Sequence, residues 1–535
     1  MIQIKKTKMK INGVDDITLN VLPKLRSAEF HKALINGGLL ESELENFAYM
    51  TGDRCLPYRM QDGYTRQKKE IQVDVVELEN DVVKVLILPH QGGRVWSMYH
   101  KVKGKEILFC NPVLQPGNLA VRNAWVSGGI EWNLGQFGHS TLTMDRVYVA
   151  ICEDETGREF VRLYEYERLK GLFLQVDLHL MEGDDQLYAH VTIRNPHKED
   201  RSVYWWTNIA VELNRNCRVI SGTREVIATT PINGENSFAH AKVPYLPAMP
   251  DQDGTYPENF MFSSEYFFQN KKDMKHTWEV AAYNDGTAFF ERSTAELPYK
   301  KMFCWSNEQG GNHWQHFLAT ENAPLYVELQ GGIIPTQVHG DTMPANSKIT
   351  FTQAFGDMEI EVAKTHGTEY VDCMEYCEGV LEKKLSASEL KELDERFKGC
   401  EEKKIKQILH KGSGYALIEE QRTVGFIPSS MEYELGRDDE AREWLDLLHH
   451  HTTPKLVNGY AKSYLTDSQW LPYLERAVET QDETAKFYYG VALYENGEFD
   501  KAIEVMKEYA EASREPIAYR TVGAMYSKLL DETKA

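Results

Sequence analysis

Between about residues 68 and 360, hydrophobic and polar positions alternate with a period of two. In GLFLQVDLHLMEGDDQLYAHVTIRNP, Leu172, Leu174, Val176, Leu178 and Leu180 fall on one face. The polar EGDD then supplies a turn, and Leu187, Ala189, Val191 and Ile193 resume the alternation. Both the period and the turn chemistry predict a β-hairpin. Similar runs recur at QVDVVELEN, VVKVLILP, REFVRLYEYERL, SVYWWTNIAVEL, TWEVAAYN, PLYVELQGG and KITFTQAF. Many short strands without interleaved helices predict a large antiparallel β-sandwich.

Near residue 380 the period becomes helical. SASELKELDERF opens with a capping box in which Ser386 caps and Glu389 reaches back, and Gly412 and Gly414 read as helix stops. Toward the end, AKFYYGVALYENGEFDKAIEVMKEYAEASREP has helix–turn–helix spacing. Gly490 and Ala502 stand twelve apart, Gly497 marks the turn, and Gly523 returns 33 residues after Gly490 with Tyr526 three further on. Over 484 to 530 this resembles the tetratricopeptide repeat, and ELGRDDEAREWLDLL upstream is comparable. The predicted organisation is therefore an N-terminal arm or small subdomain (1–67), a β-sandwich (68–365) and helical hairpins (380–535). Within the arm, TLNVLPKL reads as a strand and FHKALINGGLLESELENFAY as a helix.

A chain of 535 residues exceeds one ordinary core, and 42% hydrophobic residues suffice to build several. The formal charge of -21 and a pI near 5.4 exclude a nucleic-acid surface, which needs a basic stripe. The longest apolar runs fall far short of the roughly 20 residues that span a bilayer. The N-terminus carries lysines but no apolar segment of the secretory kind. Eight cysteines without CxxC spacing suit reduced thiols, so the expected location is the cytoplasm. NHWQH (312–316) reads as part of a strand with His313 and His316 on opposite faces, and no metal or other cofactor is expected.

The chemistry gathers where strand-like runs end in paired glycines: LPHQGGRVWSMYHK (88–101), AWVSGGIEWNLGQFGHS (124–140) and YVELQGGIIPTQVHGD (326–341). Glycine at such places lets a backbone or a ligand come close. YWWTNIAVELN adds Trp205, Trp206, Asn208 and Glu212. Flat aromatics beside carboxylates and amides suit sugars, with rings against C–H faces and polar groups on hydroxyls. The candidates are Glu131, Glu328 and His139 for catalysis. For sugar binding they are Arg94, Trp132, Asn133, Trp206, Asn208, Glu212 and Gln330. Each also has a plain structural reading: a loop cap for Glu131, an ion pair for Arg94, core packing for the tryptophans, and ladder-edge amides for Asn208 and Gln330.

VVELENDVVKVLILPHQGGRVWSMYHK, CNPV, WVSGGIEWN, YWWTNIAV and ELQGG…TQ, in this order over roughly 45–360, resemble a family of galactose-mutarotase-like domains whose bacterial members often carry tetratricopeptide repeats behind them. The resemblance implies a β-supersandwich with a carbohydrate site on its concave face. In the mutarotases proper, a catalytic histidine follows the Asn of a strand like YWWTN; here Ile209 follows Asn208. Their basic glutamate sits in an E-x-Q context, which Glu328-Leu329-Gln330 resembles. The resulting expectation is a carbohydrate-active enzyme, a glycoside hydrolase with Glu131 as proton donor and Glu328 as base or nucleophile. Three alternatives stand beside it: a sugar epimerase or mutarotase in which His139 replaces the missing histidine, a non-catalytic sugar-binding module whose repeats hold a protein partner, and an assembly scaffold with a vestigial pocket, whose mark would be Glu131 and Glu328 on different faces.

Overall fold

The computed structural model describes residues 2–14, 21–22, 34–35, 38–47, 49, 58–59, 67–117, 125–135, 139–214, 216–232, 235–270, 274, 276–436 and 440–534. Two large sheets, one of fourteen strands and one of nine, pack face to face. Apart from short parallel pairings at Asn12–Val113 and Ser237–Leu34, neighbouring strands among the described residues run antiparallel. The expected hairpin forms as read: Leu172–Leu180 pairs with Leu187–Arg194, with Leu180 opposite Leu187. Its leucines and valines meet Ile209, Val211, Val327 and Leu329 of the larger sheet in one continuous core. Each such side chain contributes roughly 1.5–3 kcal/mol by leaving water.

The polar alternates of that hairpin are also buried, beneath the C-terminal segment. Arg162 pairs with Asp177 through two hydrogen bonds of 2.7 Å and also donates to the carbonyls of Lys403, Cys400 and Ser430. His190 meets Glu401 at 3.0 Å, and His179 stacks between Phe160 and Phe397. The second sheet thus has no solvated face here, because helices Tyr370–Lys384 and Ala387–Lys398 and the chain after them lie across it. The capping box is present, with Ser386 accepting from the Glu389 amide and Glu389 reaching back to Ser386.

Three expectations need correction. The C-terminal part is not wholly helical: Gln407–His410 is a strand that extends the nine-stranded sheet beside Tyr148–Glu153. NHWQH lies on a helix, Gln309–Leu318, so His313 and His316 stand one turn apart. Of the helix expected at 30–49, the described residues hold a two-residue strand at Leu34–Ile35 and one 3-10 turn at Glu41–Glu43. TLNVLPKL falls mostly outside the described residues; its Val21–Leu22 pairs with Tyr58–Arg59. Ahead of both, Gln3–Gly13 is a full strand of the larger sheet along Lys69–Glu79, which the reading of an N-terminal arm did not anticipate.

The repeat-like end forms helices Ala485–Glu495, Phe499–Ser513 and Pro516–Lys534. A Cβ at Gly490 would stand 3.1 Å from Met506, so the first two pack closely there. No helix among the described residues is long and apolar enough to cross a membrane. None of the seven described cysteines forms a disulfide.

Candidate functional site

Strand alternation assigns the candidates to faces. Ile130 and Trp132 point into the core between the sheets, so Glu131 and Asn133 point away from it. In register, Glu131 lies opposite Asn208, Asn208 opposite Gln330, and Gln330 opposite Lys301. The next row runs Ala210, Glu328, Phe303 and Glu265. Two rows of candidate side chains therefore cross the larger sheet on its outer face. Glu131 and Glu328 share that face. Two interstrand spacings of about 4.8 Å and two residues' rise of about 3.4 Å put their Cα atoms roughly 12 Å apart.

The glycines of WVSGGIEWN bring this about. Gly129 has φ +67°, and a Cβ there would stand 2.0 Å from the Val95 carbonyl oxygen. Only glycine lets this strand close on Arg94–His100. The contact sets the Arg94 guanidinium beside Glu131, with Nη2 2.9 Å from Oε2. Arg94 also donates to the Gly128 carbonyl at 2.7 Å and to Thr143 at 3.2 Å. The other Glu131 oxygen meets His139 Nδ1 at 2.9 Å. Burial pushes the Glu131 carboxyl up, but the His139 and Arg94 charges outweigh it and hold the pKa at about 2. Glu131 is thus a fixed anion that orients an imidazole, and Nε2 is the ring nitrogen left for other work.

Glu328 has the opposite character. Burial raises its pKa, helped by the nearby Glu131 charge and opposed by His139, Lys301 and a 2.9 Å hydrogen bond from Gln330. Small Ala210 faces it from one neighbouring strand and half-buried Phe303 from the other. Lys301 pairs with Glu265 at 2.7 Å, and Gln337 of the quoted TQ pair bonds to both, at 3.3 Å to Lys301 and 2.5 Å to Glu265. The Asn208 side-chain oxygen, between Glu131 and Gln330, is buried without a hydrogen-bond partner.

A family model described as a domain of unknown function, DUF5107, matches residues 52–232. That span holds three of the four motif stretches and stops short of Glu328. A TPR-domain containing protein from Parabacteroides distasonis matches 99% of this chain and 78% of its own at 16% identity, with a TM-score of 0.68. The architecture, sandwich and helices together, recurs there. A putative aldose 1-epimerase from Klebsiella pneumoniae matches over 58% of this chain and 83% of its own at 8% identity and TM-score 0.40. A galactose mutarotase-like protein from Clostridium acetobutylicum matches over 54% and 96% at 12% identity and TM-score 0.39.

Not every candidate joins the cluster. Trp132, expected as a sugar platform, is in the core, edge-on to Phe355 and bonded to the Gly93 carbonyl. Trp205 is likewise internal, bonded to Thr207 and edge-on to Phe351. Trp206 is on the site face but roofed by Phe238, Phe267, Ile334 and Val338, and a Cβ at Gly332 would lie 2.6 Å from its ring. Asn133, opposite Trp206, is also buried. Glu212 is exposed, opposite Tyr326 and one step beyond Glu328.

The aromatic surface comes from residues that the sequence reading passed over. Trp125 lies 5.3 Å from the His139 ring and 6.0 Å from Trp305, which stacks with Trp314 at 6.1 Å and meets Phe303 edge-on. Phe303, Trp305 and Trp314 are all half-exposed. The signal for them was present in KKMFCWSNEQGGNHWQH, where aromatics cluster around a glycine pair as in the other stretches.

Proposed function

We propose that this face carries out acid–base chemistry on a sugar in which His139 gives or takes one proton and Glu328 the other. The carrying observation is the pair of opposed carboxyl environments. Glu131, with Arg94 and His139 each on one oxygen, is held as an anion and is itself a poor proton donor. Glu328, whose pKa burial raises above its ordinary value, is the better placed of the two to hold and hand over a proton. This reverses the role first expected of Glu131, which becomes the positioning residue of the histidine. It favours the isomerising reading, ring opening or epimerisation of an aldose, over hydrolysis by paired carboxylates. Trp305, Trp314 and Phe303 supply stacking surfaces, and Asn208, Gln330 and Lys301 face hydroxyls.

The test is one-dimensional NMR of freshly dissolved aldoses, following anomer interconversion, beside chromatography of an oligosaccharide panel. Interconversion should accelerate with the protein. Replacing His139 by Asn or Glu328 by Gln should each slow it roughly 10²- to 10⁴-fold with sugar binding retained. Released monosaccharide without interconversion would restore the hydrolytic reading. Sugar-dependent thermal shifts with neither reaction would leave a binding module.

A further inference from the structure

We propose that Asp74, His90 and His410 form a binding site for a divalent transition-metal ion of the zinc type, on the side of the sandwich away from the Glu131 face. His410 ends the strand Gln407–His410 and is buried. Its Nδ1 lies 3.0 Å from the Val147 carbonyl, so that nitrogen carries the hydrogen and Nε2 presents its lone pair. Across from it, 3.1 Å away, is Nε2 of His90, an exposed residue of the turn in LPHQGGRV. The two rings stand at 73° with centroids 4.6 Å apart. A carboxylate oxygen of Asp74, in the strand Lys69–Glu79, lies within 4.8 Å of a ring nitrogen of each histidine.

These dimensions suit an ion. Two imidazole nitrogens bound tetrahedrally at about 2.0–2.1 Å from zinc stand about 3.3 Å apart, a few tenths of an ångström from the arrangement seen. Asp74 then supplies a third ligand, water a fourth, and the exposed edge of His90 an entry path. The nearby Lys6 and Lys8 reach Asp74 only at 3.6 and 4.0 Å. Two other clusters of metal-ligating residues among the described ones differ on this point. In His100–Asp185–Asp357 the carboxylates are held at 2.7–3.0 Å by Lys103, Lys105 and Lys384, and in His276–Glu378–Glu382 Arg292 holds Glu382 at 2.7 Å while the Trp278 indole donates to Glu378. A neutral His–His hydrogen bond explains the 3.1 Å approach, but it does not call for a carboxylate beside both histidines.

The three ligands come from far apart in the chain, so the ion would pin the C-terminal strand to the turn that leads into Arg94. The test uses the full chain, freed of metal by a chelator and titrated with Zn2+ by calorimetry and with Co2+ by visible absorption. One equivalent of Zn2+ should bind at micromolar or tighter affinity, and Co2+ should give tetrahedral bands. His90→Ala, a surface change, should weaken binding on the order of 100-fold, and Asp74→Asn should weaken it less. A variant with His449, His450 and His451 all changed to Ala should bind as the parent does. Absence of micromolar binding overturns the proposal. So does binding undiminished in His90→Ala, or binding lost only with the triple histidine variant.

Discussion

Glu131 and Glu328 are one residue type on one face, with their pKa values moved in opposite directions by what surrounds them. The folded pKa of Glu131, about 2, lies below its ordinary value of 4.5. Its pairing therefore stabilises the fold fully above about pH 4.5, and that stability is lost as pH falls toward 2. At about 1.36 kcal/mol per pKa unit, it amounts to roughly 3 kcal/mol. Glu328 runs the other way: its raised pKa means that stability is greatest in acid and falls as pH rises through the folded value. Calorimetry at pH 7 should separate the two. Glu131→Gln leaves the buried Arg94 without its counter-charge and should cost about 3–5 kcal/mol. Glu328→Gln should raise the thermal midpoint while lowering turnover. If both variants destabilise alike, Glu328 is a structural group and the proton-transfer role fails.

At the scale of elements, the local period identified the strands and told which side chains share a face within each. It could not tell which strands lie side by side. Glu131, Asn208, Gln330 and Lys301 form a row through pairings that join positions up to 122 residues apart (208 to 330), and nothing local encodes that register. For the same reason Trp132 was read with Glu131, although one step along a strand turns a side chain to the opposite face. NHWQH was misread because a ten-residue helix inserted between strands has too few turns to declare its period. The glycine pair of WVSGG, by contrast, was legible, because a forced φ and a close backbone contact leave almost no other residue. Gly129→Ala should cost about 3 kcal/mol or more in urea unfolding, through strain and the Val95 clash. Any surviving fold should show reduced turnover, as Arg94 and Glu131 are pushed apart.

Across the whole molecule, the C-terminal segment is a lid on the second sheet as well as a set of helical hairpins. Arg162, Gln175 and His190 find partners in Cys400, Lys403, Ser430 and Glu401, so removing 380–535 would bare a sheet face studded with unpaired polar groups. Such a truncation should give insoluble protein, visible as loss of the peak that the full chain gives in size-exclusion chromatography. A partner of the repeats is better sought by changing the exposed Tyr519 or Tyr526, which leaves that cover intact. The two-sidedness of the larger sheet has a further consequence. Positions 131, 208, 301, 303, 328 and 330 hold the proposed chemistry, while 130, 132, 207, 209, 302, 327 and 329 hold the scaffold, and the two sets interleave along the same strands without sharing a face. Selection, natural or in the laboratory, can therefore rewrite what this surface recognises one row at a time without disturbing the foundation beneath it.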